Sequence, residues 1–171
     1  MTKNTYNKIN NLIEFCFVSH GKYAIKNSNK HRRHDNLTPY GIHPTWCAMT
    51  ILTETKLSEL IRTNGYQALL LHDILEDTNR NLPNWISSEV KDLIKNMTFE
   101  SFEKERQDLF QKPPEIKLLK LYDKVSNLLD GSWMDNEKLA IYKNFTKKLC
   151  KDVEVNYGEL NIIKIAKAVL R

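Results

Sequence analysis

Between Glu115 and Asp130 apolar side chains fall on almost every side of a helix: Ile116, Leu118, Leu119, Leu121, Val125, Leu128 and Leu129. A helix with so little solvent-facing surface is stable only when other elements surround it. The rest of the chain offers partners of the same kind. Glycine and proline are scarce, five of each, and the segments between them carry apolar residues three and four apart. The expected architecture is an all-α bundle of about seven to eight helices. A length of 171 residues suits one domain over 1–171 and is long enough to bury a real core.

Local signals place the other helices. Ile9, Leu12, Ile13, Cys16 and Phe17 mark a first helix from about Thr5 to His20, with Gly21 as its terminator. Residues 27–43 read as a loop rich in Asn, Ser, Asp, Thr and Pro. The residue before a proline is pushed out of the helical region, whereas proline itself suits a first helical turn. His43-Pro44 therefore places His43 at the entrance of a helix that continues through Trp46, Ala48, Met49, Ile51 and Leu52 to about Arg62. Asn64-Gly65 should break it before a helix that carries His72 and Asp73. Asn79 to Pro83 is a turn, and Pro83 opens the next helix, with Trp85, Ile86, Val90, Leu93, Ile94 and Met97 as its apolar positions. Residues 99–112 are so charged that pattern alone does not separate a helix from a flexible lid. Two further helices, Asn136–Tyr157 and Glu159–Leu170, read as structural.

Composition narrows the function classes. A net charge of +5 and a pI near 9.0 raise nucleic-acid binding, but most lysines are interleaved with acids, as in Glu103-Lys104-Glu105-Arg106, which is how solvated helix faces look. Only His31-Arg32-Arg33-His34 is a concentrated basic cluster, and it suits a phosphate-bearing small molecule better than a duplex. No apolar run approaches the roughly 20 residues that span a bilayer, and the polar opening Met1-Thr2-Lys3-Asn4 lacks a signal-peptide core. A cytoplasmic protein without a membrane partner is expected, with oligomeric state open. Cys16, Cys47 and Cys150 are odd in number and widely spaced, which predicts reduced core thiols.

The chemistry concentrates in Leu69-Leu70-Leu71-His72-Asp73-Ile74-Leu75-Glu76-Asp77-Thr78. On a helix His72 and Asp73 lie one turn from Glu76 and Asp77, on one stripe. Solvated faces seldom begin straight after three leucines, and carboxylates grouped beside an imidazole repel one another unless a cation or protons neutralise them. His43, His72, Asp73 and Asp123 together make a mixed nitrogen and oxygen set suited to Mn²⁺, Fe²⁺, Co²⁺ or another divalent cation. Glu76 and Asp77 are placed to orient or deprotonate a water. Taken singly, His43 reads more often as a capping histidine and Asp123 as an ion-pair partner; their joint occurrence favours a metal site.

The order H…HD…D resembles the HD-domain superfamily of metal-dependent phosphohydrolases. Finer wording resembles its RelA/SpoT-type hydrolase branch, closest in size to the stand-alone small alarmone hydrolases. The residues that carry this are Arg33, Pro39-Tyr40-x-x-His43-Pro44, Ala68 through Thr78, Met97-Thr98, Ile116-Lys117-Leu118 and Lys120 through Leu128. The likeness is strongest over 20–131, leaving 132–171 as C-terminal helices. It implies a helical HD domain that binds one Mn²⁺ and hydrolyses the 3′-pyrophosphate of the guanosine tetra- and pentaphosphates, (p)ppGpp. It further implies His43, His72, Asp73 and Asp123 as metal ligands and Glu76 and Asp77 as the pair activating the water. Arg33, Tyr40, Lys124 and Asn127 are the implied substrate-binding positions. Where the family has Arg-Lys and then a glycine one residue on, this chain has Arg33-His34-Asp35-Asn36; Asn36 can supply the left-handed backbone a glycine would give. The altered segment keeps two alternatives open: an HD-type phosphohydrolase of another nucleotide or of NADPH, and a catalytically silent nucleotide- or metal-sensing regulator.

Overall fold

The computed structural model describes residues 3–171; Met1 and Thr2 of the polar opening lie outside them. Among these residues nine α-helices follow in order: α1 Lys3–Tyr23, α2 Ile42–Leu52, α3 Glu59–Leu71, α4 Ile74–Asp77, α5 Ser88–Met97, α6 Phe102–Asp108, α7 Pro114–Leu129, α8 Asn136–Tyr157 and α9 Asn161–Val169. The count exceeds the expected seven to eight because α4 is a single four-residue turn. Short 3₁₀ turns occupy Asn27–Asn29, Leu109–Gln111 and Gly131–Trp133. The described residues contain two isolated bridges, Ala24 with Thr78 and His31 with Pro39, and no strand. No described helix is long and apolar enough to cross a membrane, and all three cysteines are free and buried.

Helix α7 is the axis of the molecule. Twelve of its 16 residues are buried, and α2, α3, α5, α8 and α9 pack around it. Pro114 opens it where a missing N–H is harmless. Its apolar side chains join one core with Leu69, Leu70 and Leu71 of α3, Ile51 of α2 and Leu149 and Val153 of α8. The predicted Asn136–Tyr157 helix is found with those bounds.

Several boundaries differ from expectation for identifiable reasons. Gly21 does not end α1, which runs on to Tyr23 while packing against α3 and α4; a helical glycine costs only about 1 kcal/mol. The helix begun near His43 starts at Ile42 and stops at Leu52 rather than Arg62. Ser58 caps α3 by accepting the Ile61 N–H. Asn64-Gly65 sits inside α3 instead of breaking it. A Cβ on Gly65 would lie 2.6 Å from Ile51 Cδ1 and 3.0 Å from Leu119 Cδ2, so this glycine lets α3 approach α2 and α7 closely. Gly65→Val is expected to destabilise the fold by roughly 1–3 kcal/mol, read as a lower urea midpoint. A variant as stable as the parent would contradict this packing. Pro83 precedes its helix by five residues, and Ser87 caps α5. Residues 99–112 resolve into α6 and the Leu109–Gln111 turn.

Candidate functional site

His72 and Asp73 do not lie on one continuous helix. Helix α3 ends at Leu71, Asp73 adopts φ −90° and ψ 0°, and α4 resumes at Ile74. The Asp77 N–H donates to the Asp73 carbonyl at 2.9 Å, so the chain turns without losing its hydrogen bonding. This break aims His72 and Asp73 at α7, while α4 carries Glu76 and Asp77 round the same cleft. His43 comes from the first turn of α2 and Asp123 from the middle of α7. His43, His72, Asp73 and Asp123 are all buried.

The two imidazoles and two carboxylates converge. His43 Nε2 is 3.4 Å from Asp123 Oδ1 and 3.6 Å from Asp73 Oδ2. His72 Nε2 is 3.2 Å from Asp73 Oδ2 and 3.9 Å from Asp123 Oδ1. Ligand atoms of His43, His72 and Asp123 lie within 4.8 Å of one another, a group that can hold a metal ion.

Each outer nitrogen is already engaged. His72 Nδ1 lies 2.6 Å from the Leu69 carbonyl, which can only accept, so Nδ1 carries the proton. His43 Nδ1 pairs with Ser126 Oγ at 2.8 Å. The inner Nε2 atoms of both rings are buried without a hydrogen-bond partner. In the neutral tautomer the His72 Nε2 lone pair points at carboxylate oxygens, an arrangement that calls for a cation or a proton between them.

The electrostatics agree. Burial works against an imidazolium at His72, but Asp73 and Asp123 outweigh it and hold its pKa up at about 9. At His43 burial prevails and the pKa is lowered. A divalent cation would take the proton's place on His72. Cation binding near pH 7.5 is therefore expected to release about one proton, measured by calorimetry in buffers of different ionisation enthalpy; a heat independent of buffer would contradict it. The cation-free protein should also lose stability with rising pH. The folded pKa lies above the ordinary 6.5, so this contribution is complete below pH 6.5 and gone above about 9.

Supporting groups fix the carboxylates. The Tyr40 hydroxyl donates to Asp73 Oδ2 at 2.8 Å. Asn127 Nδ2 donates to Asp123 Oδ1 at 2.6 Å, and its own carbonyl oxygen accepts from Arg32 at 2.8 Å. Arg32, buried, also binds both carboxylate oxygens of Asp130. Sequence reasoning singled out Arg33 and passed over Arg32. The structure buries Arg32 in this network and leaves Arg33 exposed at the cleft wall, its guanidinium 4.7 Å from the Trp133 ring centre. Lys124 is buried and paired with Glu105 at 2.7 Å and Asp123 at 3.2 Å. Asn36 takes φ 56°, the left-handed turn expected of it.

Glu76 and Asp77 line the cleft that contains Asp73 and Asp123. Phe99 N–H donates to Glu76 Oε1 at 3.0 Å, and Asn29 Nδ2 to Asp77 Oδ1 at 2.6 Å. Withdrawal from bulk water, with Asp73 close by, raises Glu76 to about 7 against the pull of Lys120. The Glu76 side chain still reaches solvent, so water screens part of this shift. Asp77 is raised to about 7 by burial and by Asp73. A carboxylate poised near neutrality can take a proton from water. Asn29, Ser126 and Glu105 were not singled out from sequence, and Asp130 stood out only as unlike the small or polar residue expected after Asn127. Lys120, three residues before Asp123 on α7, was within reach of helical spacing alone.

No protein-family model matches the chain. A solved structure, described as a metazoan ortholog of SpoT that hydrolyses ppGpp, superposes over 96% of this chain and 94% of its own, with a TM-score of 0.72 and 20% identity. The chain shares the all-α fold of that structure. Its sequence is similar to the guanosine-3′,5′-bis(diphosphate) 3′-pyrophosphohydrolases MESH1 of Mus musculus and Homo sapiens, each 32% identical over 117 residues, and of Xenopus tropicalis, 30% identical. The match covers 63% of this chain and 64% of each relative, so the chain spans just under two thirds of the length of the curated relatives it matches. The all-α expectation and the resemblance to HD-domain alarmone hydrolases both hold.

Proposed function

We propose that this HD domain, acting as one unit over 1–171, is a Mn²⁺-dependent hydrolase that removes the 3′-pyrophosphate of (p)ppGpp, giving GDP or GTP and pyrophosphate. The observation that carries the reading is the pair of buried imidazole nitrogens, without hydrogen-bond partners, that face Asp73 and Asp123, two residues lining a cleft edged by Glu76 and Asp77. The similarity to the 3′-pyrophosphohydrolases supports the substrate class.

His43, His72, Asp73 and Asp123 would hold the cation, which when bound would supply Lewis acidity for phosphoryl transfer to water. Glu76 and Asp77, fixed by Phe99 N–H and Asn29, orient that water and accept its proton. The water oxygen bonds to the phosphorus attached to the ribose 3′ oxygen, and the 3′ oxygen leaves and is protonated. Tyr40 and Asn127 act on this chemistry through Asp73 and Asp123. Arg33 and Lys138 flank the Trp133 ring at the cleft wall, offering positive charge and an aromatic surface to the nucleotide. A nucleotide substrate of this class implies a cytoplasmic enzyme.

The test offers Mn²⁺-loaded protein ppGpp and pppGpp beside nucleoside mono-, di- and triphosphates and NADPH, with pyrophosphate and orthophosphate measured separately. Pyrophosphate from the alarmones is the expected result. Orthophosphate from another substrate, with none of the alarmones consumed, would overturn the reading.

A further inference from the structure

Glu105 is a buried carboxylate that the proposed reaction does not use. It sits on α6, whose preceding residues Phe99, Glu100 and Ser101 line the cleft, and its side chain is 5% exposed. Glu105 Oε2 lies 2.7 Å from Lys124 Nζ, and Oε1 lies 3.4 Å from Lys120 Nζ. Both ammonium groups also flank Asp123 Oδ2, at 2.7 Å for Lys120 and 3.2 Å for Lys124. Asp123 is thus gripped on one oxygen by two cations, while its other oxygen faces the imidazoles of His43 and His72.

Charge balance in this quartet decides how well Asp123 can serve a cation. Two ammoniums against Asp123 alone would leave a net positive charge behind the ligand oxygen and repel a divalent ion at short range. Glu105 brings the quartet to neutrality. It also holds the lysine tips on the side of Asp123 away from the imidazoles. We infer that Glu105 is a positioning residue for the metal centre: it neutralises the Lys120–Lys124 pair so that Asp123 keeps its negative charge available to the ion, and it thereby ties ion affinity to the docking of α6. This inference rests on the metal-site reading of the cluster.

The test measures Mn²⁺ dissociation constants by electron paramagnetic resonance of the free ion, on chelator-treated full-length protein. Folding is checked by circular dichroism. Glu105→Gln keeps size and removes charge, and is expected to weaken Mn²⁺ binding about 10–100-fold. Lys124→Gln alone leaves the quartet negative and should bind Mn²⁺ at least as tightly as the parent. The double substitution Glu105→Gln with Lys124→Gln restores neutrality and should recover most of the affinity lost in Glu105→Gln. Unchanged binding in Glu105→Gln overturns the inference. So does a double variant no better than Glu105→Gln, because Glu105 would then act only through packing. If Glu105→Gln does not fold, the comparison of Lys124→Gln with the double variant decides: the balance predicts tighter binding in the former, and equal or reversed affinities overturn it. If the parent protein binds no Mn²⁺, or binds it equally with His72→Ala, the metal-site reading itself fails, an outcome distinct from the others.

Discussion

Glu76→Gln is expected to lower kcat for ppGpp hydrolysis by about 10²–10⁴-fold, while Mn²⁺ affinity stays within about threefold of the parent because Glu76 is outside the proposed ligand set. The substitution is nearly isosteric, and a glutamine carbonyl can still accept the Phe99 N–H that Glu76 Oε1 accepts at 3.0 Å. What disappears is the ability to take a proton. The pH profile provides a second readout. A proton acceptor works only when ionised, so the parent rate should rise with pH through the pKa of the Glu76–Asp77 pair, placed near 7 without a cation and lower with one. In Glu76→Gln the rising limb should move to the value of Asp77 alone. A variant with the parent kcat would remove Glu76 from its assigned role.

The largest expected effect on stability lies far from the acids of the cleft. Glu54, in the turn after α2, is buried, and its carboxylate closes the start of α9 by accepting the Asn161 and Ile162 N–H groups at 2.8 Å each. Its Oε1 also accepts the Tyr122 hydroxyl at 3.0 Å. Glu54→Ala leaves two helix N–H groups and a buried phenol without an acceptor. A loss of about 3–5 kcal/mol is expected, which for a chain of this size lowers Tm by roughly 10 °C. Tyr122 precedes Asp123 on α7, so Mn²⁺ affinity should fall in the same variant. A shift of less than about 1 kcal/mol would mean that α9 does not depend on this cap.

These two residues illustrate what was legible in the chain. Glu76 stood out because three leucines followed by an imidazole and three carboxylates is a pattern that solvated helices do not produce. His43 and Asp123 emerged through proline geometry and through the burial implied by an apolar helix on all sides. The axial role of α7 followed from the same observation. Glu54 left no comparable trace: its partners Asn161 and Ile162 lie more than a hundred residues away, and an isolated glutamate within an expected helix reads as solvated. Gly65 was misjudged because a glycine demanded by close packing and one demanded by a turn look alike in sequence; only Ile51 and Leu119 separate them. Arg32 and Arg33 are adjacent and chemically identical, so the choice between them depended on Asp130, which reaches back from the end of α7. Glu105 sat in a segment whose charge concealed one inward-facing carboxylate among several outward ones.

The partnerless Nε2 atoms of His43 and His72 are proposed to mark a cation on which pyrophosphate release from ppGpp depends. This dependence is tested most directly by following ppGpp hydrolysis and bound Mn²⁺ in the same samples as the chelator-treated protein is titrated. Pyrophosphate release should rise in proportion to bound ion, saturate at one per chain, and be absent in His72→Ala. Turnover of ppGpp by the ion-free protein, or by His72→Ala at the parent rate, would contradict the claim.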